Sequence, residues 1–129
     1  MSYPPIDMHA KKSQALVVHC SDPRFQDAYR KVTDKLGHYY DLLVFPGASK
    51  AIADHGLVLD NIYLLHSLHN FEVVHIMDHV HCGAFGEVND EVADHTEYLN
   101  KAEEAIGGLL PTVTVTRHLF GENGEIDIG

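Results

Sequence analysis

Apolar residues follow two alternating patterns along this chain. Short runs rich in Val, Leu and Ile are typical of strands that are buried on both faces, as in a parallel sheet. The predicted strands are 15–19, 41–45, 72–77 and 112–120. Longer segments between them repeat apolar residues at helical spacing. The predicted helices are 25–36, 50–70 and 89–106. The pattern therefore predicts an α/β fold in which strands and helices alternate.

Glycine, proline and asparagine set the predicted ends of these elements. Gly56 marks a kink or a helix start within the second helical segment, and Gly107, Gly108 and Pro111 end the third helix. The pair Asn123-Gly124 is typical of a two-residue hairpin, so the last strand is expected to turn back at 126–128.

Alternating strands and helices predict an open, mainly parallel sheet of four to five strands, flanked by helices. The expected strand order is 2-1-3-4 plus the C-terminal hairpin strand. A chain of 129 residues suits a single domain, 1–129, in which residues 1–14 form an N-terminal arm.

The charge balance narrows the classes of partner. Nineteen acidic residues against nine Lys and Arg give a formal net charge of -10, which disfavours nucleic acid and anionic membranes. No apolar stretch approaches the roughly 20 residues of a membrane span, and the N-terminus lacks the order of a signal peptide. We therefore expect a cytoplasmic protein whose cysteines are reduced thiols or metal ligands.

The two cysteines are the strongest chemical signal in the sequence. Cys20 and Cys82 each follow an apolar run, at the ends of the first and third predicted strands. With His79 they form a ligand set that suits Zn²⁺ and leaves a fourth tetrahedral position vacant. The alternative is that both are small buried apolar side chains. The other ten of the eleven histidines show no second pair with ligand spacing, so we expect most of them to be satisfied locally.

Two charged residues follow Cys20 closely. Asp22 is near enough in sequence to fill the vacant position or to accept a hydrogen bond from a water there. Arg24 can hold that carboxylate through a bidentate, charge-assisted pair. The spacing therefore predicts both a ligand set and the groups that orient it.

These motifs resemble the paired signatures of the β-class carbonic anhydrases, Cys-x-Asp-x-Arg and His-x-x-Cys-Gly. The matching segments are Cys20-Ser21-Asp22-Pro23-Arg24 and His79-Val80-His81-Cys82-Gly83. The turn Phe45-Pro46-Gly47-Ala48 and the closing strand with its hairpin are also similar. The resemblance covers roughly residues 14 to 128.

The resemblance implies zinc-dependent, reversible hydration of carbon dioxide to bicarbonate. On this basis Cys20, His79 and Cys82 bind zinc, and Arg24 holds Asp22. Asp22 either orients the reacting water or closes onto the metal as a fourth ligand in an inactive state. The resemblance also implies a homodimer or a higher homo-oligomer, with a small-molecule substrate.

The chain departs from the family pattern at several points. Asp78 stands where the family usually has Gly, and is expected to add negative charge beside the metal. Ala48 replaces the usual Asn, and the arm is short. The alternatives are a catalytically weak zinc-binding interaction or regulatory protein, a hydrolase of carbonyl sulfide or carbon disulfide, and, more distantly, a thiol redox protein. His81 is a hypothetical proton acceptor, chosen for its nearness to His79 in sequence.

Overall fold

The computed structural model describes residues 5–10 and 12–129. Part of the predicted arm, residues 1–4 and 11, lies outside the described residues. The strands are β1 (Ala15–His19), β2 (Asp41–Val44), β3 (Val73–His79), β4 (Thr114–Gly121) and β5 (Gly124–Ile126). The α-helices are α1 (Gln26–Thr33), α2 (Ser49–Asp54), α3 (Gly56–His69) and α4 (Glu91–Leu109). Short 3₁₀ turns cover Pro23–Phe25, Asp34–Leu36 and Gly83–Phe85.

The five strands form one sheet in the order β2-β1-β3-β4-β5. β1, β2, β3 and β4 pair in parallel, and only β5 is antiparallel to its neighbour β4. The predicted fold class, strand order and C-terminal hairpin are therefore confirmed, although the returning strand occupies Gly124–Ile126 rather than 126–128, because Glu122 and Asn123 form the two-residue turn. Of the two roles predicted for Gly56, a kink or a helix start, the structure shows the helix start.

Helices cover both faces of the sheet. Successive strand residues point to opposite faces, so His79 and Asp78 at the end of β3 contact different layers. The ring of Phe25, just before α1, stacks on His79 with centroids 4.4 Å apart. On the opposite face, Asp78 bonds Ser49 of α2 and His95 of α4. Because both layers bury these side chains, the carboxyl end of β3 lies inside the protein.

One predicted helix end was wrong. α4 continues through Gly107 and Gly108 to Leu109 instead of ending at the glycines. Glycine within a helix costs only about 1 kcal/mol against alanine, so packing of the preceding turns can carry the helix across it. The helix ends because Leu110, the residue before Pro111, adopts non-helical backbone angles.

Across the part of the chain that the structure describes, no helix is both long enough and apolar enough to cross a membrane.

Candidate metal centre

The candidate centre lies where β1 and β3 end side by side. Cys20 directly follows β1, His79 is the last residue of β3, and Cys82 lies three residues further along. One ligand atom from each residue can be chosen so that all three lie within 4.8 Å of one another. The two sulfur atoms are 3.9 Å apart, and both thiols are free and buried. The structure therefore brings together the three predicted ligands in an arrangement that can hold a metal ion.

His79 is held in the orientation that a ligand needs. Its Nδ1 lies 2.7 Å from the carbonyl oxygen of Val80, which can only accept, so Nδ1 carries the proton. The other nitrogen, Nε2, is buried and has no hydrogen-bond partner among the described residues. Metal-binding histidines commonly donate their second N–H to a carbonyl in this way. The unpartnered Nε2, facing two thiols, fits a metal ion that prefers sulfur and nitrogen.

Burial favours the uncharged forms of Cys82 and His79 in the metal-free protein. Loss of hydration, together with the neighbouring Cys20, raises the pKa of the Cys82 thiol to about 11. Burial also lowers the pKa of His79, although its bond to Val80 opposes this change. At neutral pH the metal-free protein therefore presents a neutral imidazole and a protonated Cys82. A metal ion must displace the thiol proton in order to bind.

Asp22 and Arg24 form the bidentate pair that the sequence predicts. Arg24 donates from Nη2 to Oδ2 of Asp22 at 2.7 Å and from Nε to Oδ1 at 3.1 Å. Its backbone N–H also donates to Oδ1. These bonds lower the pKa of Asp22 to about 2, so this side chain is a carboxylate at neutral pH. Oδ2 lies 3.8 Å from Nε2 of His79, beside the cluster.

The loop between His79 and Cys82 is held by hydrogen bonds from two side chains of other segments, Arg24 and Glu91. His81 has a positive φ of 56°, a conformation that costs energy for a residue with a side chain. Arg24 donates to the His81 carbonyl at 3.1 Å, and the His81 N–H donates to Glu91 at 3.2 Å. The imidazole is exposed, 3.5 Å from a Glu91 oxygen and 3.8 Å from a Glu122 oxygen. Its role as a proton acceptor stays a prediction.

Asp78 lies in a buried network that sequence reasoning missed. It is 2% exposed and accepts hydrogen bonds from the backbone N–H of Ser49 at 3.1 Å and from its hydroxyl at 2.6 Å. Nδ1 of His95 lies 2.7 Å from the same carboxylate, and Nε2 of His95 lies 3.3 Å from Glu91. Glu91 in turn holds the loop at His81. Instead of facing the ligand cluster, Asp78 ties α2 and α4 to β3.

This network is not a nucleophile and its base. The carboxylate lies between the Ser49 hydroxyl and the His95 ring, so the hydroxyl donates to Asp78 rather than to an imidazole. The clearest sequence signal for the network was Asp78 itself, a charged residue in an apolar strand. His95 gave a weaker one, because it falls at helical spacing before Leu99.

The turn before α2 packs against the loop that carries Cys82. Gly47 has a φ of 86°, and a Cβ added there would lie 3.0 Å from the Cβ of Ala84. Ala48 also has a positive φ, 36°. Its strain is held by the bonds that Ser49 makes to Asp78. The predicted turn therefore lies beside the candidate centre, and Ser49 anchors it rather than capping α2.

The fold and the ligand cluster together define a class of protein. Proteins of this class have an open, mainly parallel α/β sheet, and cysteine and histidine donors lie together at the carboxyl ends of two neighbouring strands. A family model described as "Putative carbonic anhydrase" matches residues 10–128. The chain therefore belongs to this carbonic anhydrase family.

Two relatives of unknown function and two solved structures are similar to this chain. An uncharacterized protein of Rickettsia bellii is 30% identical over 90% of this chain and 81% of the relative. A second one, from Rickettsia conorii, is 29% identical over 90% of this chain and 72% of the relative. The β-carbonic anhydrase isoform I of Trichomonas vaginalis has a similar fold, with a TM-score of 0.71, 10% identity, and coverage of 98% of this chain and 87% of that one. For a carbonic anhydrase of Streptococcus mutans the TM-score is 0.61 at 12% identity, with the same coverage.

Metal affinity is expected to rise with pH. Because burial raises the pKa of Cys82 to about 11, binding releases its proton throughout the neutral range. The apparent association constant should therefore increase by at least about tenfold per pH unit between about pH 6.5 and 8.5. Competition with a chromophoric chelator would measure it. An affinity that does not change with pH would contradict the protonated state of this thiol.

Removing the Asp78 carboxylate is expected to destabilise the fold. Asp78→Ala leaves the buried donors of Ser49 and His95 unpaired, which should lower the free energy of unfolding by about 3–5 kcal/mol. Denaturant unfolding in the presence of a chelator would measure this without a contribution from bound metal. The matched control is Asp54→Ala, which removes a partly exposed ion pair with Lys50 and should cost less than about 1 kcal/mol. Equal losses in the two variants would refute a structural role for the network.

Proposed function

We propose that this protein catalyses the zinc-dependent, reversible hydration of carbon dioxide to bicarbonate. The observation that carries the proposal is the position of the Asp22 carboxylate. Arg24 holds it 3.8 Å from the unpartnered Nε2 of His79, at the edge of the cysteine and histidine cluster. A site that only stores or structures a metal has no need of an oriented acceptor at this point.

Cys20, His79 and Cys82 are the residues that would hold the metal. Two thiolates and one neutral imidazole suit Zn²⁺ and leave a position open for chemistry. Zinc held there would act as a Lewis acid that lowers the pKa of a water molecule to about 7, so that hydroxide would be available at neutral pH. The Nδ1–H bond from His79 to Val80 keeps the ligand nitrogen deprotonated and aimed at the cluster.

Asp22 would orient the reacting water. Its pKa of about 2 keeps it ionised, so near neutral pH it can accept a hydrogen bond but does not donate one. An acceptor in a fixed position would accept a hydrogen bond from the single O–H of a hydroxide and leave an oxygen lone pair free to attack the carbon of CO₂. Arg24 fixes that acceptor because the same guanidinium also donates to the carbonyl of His81. The alternative, in which Asp22 becomes a fourth ligand in a resting state, stays a prediction.

Hydration activity should depend on the metal ligands and on the Asp22–Arg24 pair. Cys20→Ser should reduce CO₂ hydration to the uncatalysed rate, since a serine hydroxyl is a poor zinc ligand. Asp22→Asn and Arg24→Ala should retain zinc but lower the rate by about 10–100-fold, because orientation is lost. Arg24→Lys keeps the charge without the bidentate fork and should restore only part of the loss. Stopped-flow measurement with a pH indicator, at near-neutral and alkaline pH, would test this.

The outcomes of this experiment separate the proposed functions. A zinc-dependent rate above that of Cys20→Ser supports carbonic anhydrase activity. About one zinc per chain with no hydration at either pH would refute it and favour a zinc-binding interaction or regulatory protein. Hydrolysis of carbonyl sulfide or carbon disulfide without CO₂ hydration would identify the protein as a hydrolase of such molecules. The thiols must be kept reduced, because the sulfur atoms are only 3.9 Å apart.

We also propose that two copies of the chain associate through β2 and α3. β2 is the edge strand of the sheet, and it exposes Leu42 and Val44. α3 lies beside β2. At the last residue of α3, Nδ1 of His69 lies 2.8 Å from a carboxylate oxygen of Asp41. The ring of His55, just before the first residue of α3, lies near the ring of Phe45. α3 adds further exposed apolar side chains, namely Leu57, Tyr63, Leu64 and Leu68.

The chemistry of this surface favours a second copy as the occupant. An unpaired strand edge flanked by apolar side chains can meet the same edge of another chain around a twofold axis. The chain's net charge of -10 disfavours polyanions, and apolar contacts between identical copies do not depend on charge.

The cytoplasmic location predicted from the sequence stays a prediction.

The wild-type protein should therefore have the mass of at least a dimer in solution. Leu64→Glu places a charge on the exposed face of α3 and should produce a monomer, measured by light scattering after gel filtration. Val92→Glu, on an exposed position of α4, is the matched control and should not change the mass. A monomeric wild type, or an equal effect of both variants, would contradict this interface.

A further inference from the structure

Two histidines that are 43 residues apart in sequence face each other on the side of the sheet that α1 partly covers. His75 lies on β3 and His118 on β4, where the register pairs His118 with Met77, so the two histidines are diagonal neighbours. Nδ1 of His75 is 3.0 Å from Nε2 of His118. His118 is nearly buried, and its Nδ1 is 2.9 Å from a carboxylate oxygen of Glu125 on β5. Three strands thus bring together two imidazoles and one carboxylate.

The position of each proton follows from these contacts. An ionised Glu125 can only accept, so Nδ1 of His118 carries the proton and Nε2 has a free lone pair when the ring is neutral. That lone pair points at His75, whose Nδ1–H supplies the hydrogen bond. Burial, and secondarily the nearby His118, lower the pKa of His75, which keeps this ring neutral at neutral pH. A single proton therefore lies between two nitrogen atoms.

We infer that His75 and His118 form a second metal site, for a divalent ion with a preference for imidazole, such as Ni²⁺ or Zn²⁺. The two nitrogen atoms are 3.0 Å apart. An ion about 2.0–2.1 Å from each of them would make a nitrogen–metal–nitrogen angle of roughly 90–95°. That angle is the one between neighbouring ligands in square-planar or octahedral coordination. Binding requires that the proton of His75 moves from Nδ1 to Nε2 and that the two rings turn until both lone pairs converge on the ion; no oxidant and no further reactant takes part.

The surroundings suit such an ion. The bond from His118 to Glu125 is the arrangement in which a carboxylate orients a metal-binding imidazole and raises its basicity. His75 also borders a cleft of about 380 Å³, which offers room for water molecules to complete the coordination. With two protein ligands the site should bind more weakly than the cysteine-containing centre and exchange its ion readily. The two sites share no ligand, and this inference does not depend on carbonic anhydrase activity.

The test is a calorimetric titration of the zinc-loaded protein with Ni²⁺. The zinc content is measured before and after the titration. The wild type should bind one Ni²⁺ per chain and retain its zinc. His75→Gln and His118→Gln should each weaken Ni²⁺ binding at least about tenfold, and Glu125→Gln about 10–100-fold. All three variants should keep their zinc and, where the wild type has it, CO₂ hydration.

The matched control is His69→Gln, which removes a partly exposed histidine that pairs with Asp41 on another part of the surface. It should bind Ni²⁺ like the wild type. Nuclear magnetic resonance of the unmodified protein gives a second measurement, since Ni²⁺ should broaden the imidazole signals of His75 and His118 before those of other histidines. The site is refuted if the wild type binds no Ni²⁺, if the control weakens binding as much as His118→Gln, or if other histidines are broadened first.

Discussion

Parallel pairing of β1 with β3 is the constraint on which the candidate centre depends. Parallel strands end at the same edge of a sheet. Cys20, which follows β1, and His79, which ends β3, must therefore lie close together in space. A strand inserted between β1 and β3 would place them about 10 Å apart instead of about 5 Å, too far for one ion to reach both sets of donors. The order β2-β1-β3-β4-β5 is therefore a chemical requirement as well as a topological one.

The polar groups around this edge are arranged in two layers with different tasks. On the α1 side, the exposed Arg24 and the loop carbonyl of His81 hold the largely covered carboxylate of Asp22 beside the ligand cluster. On the opposite side, Asp78 and His95 are buried and join α2, α4 and β3. Glu91 contacts both His95 and the loop at His81, so the position of the loop depends on the buried layer.

Burial explains why Cys82 and His79 are uncharged in the metal-free protein, although the same side chains are placed to bind a metal ion. Low-dielectric surroundings favour the neutral forms of Cys82 and His79, which removes charge repulsion between donors in the metal-free protein. The stacked ring of Phe25 and the bond from His79 to Val80 fix the imidazole in advance. The fold therefore supplies orientation, and an ion supplies the charge that the donors lack.

Local sequence determined the order of strands and helices and the three donor residues, because strand and helix periods and short motifs depend on neighbours along the chain. Strand alternation puts Asp78 on the face opposite His79. Only the tertiary structure decided that α2 and α4 place Ser49 and His95 beside it there. The pairing of His75 with His118 likewise needs the register of β3 against β4. Such contacts depend on register and on helix packing, which arise from the whole core rather than from any one segment.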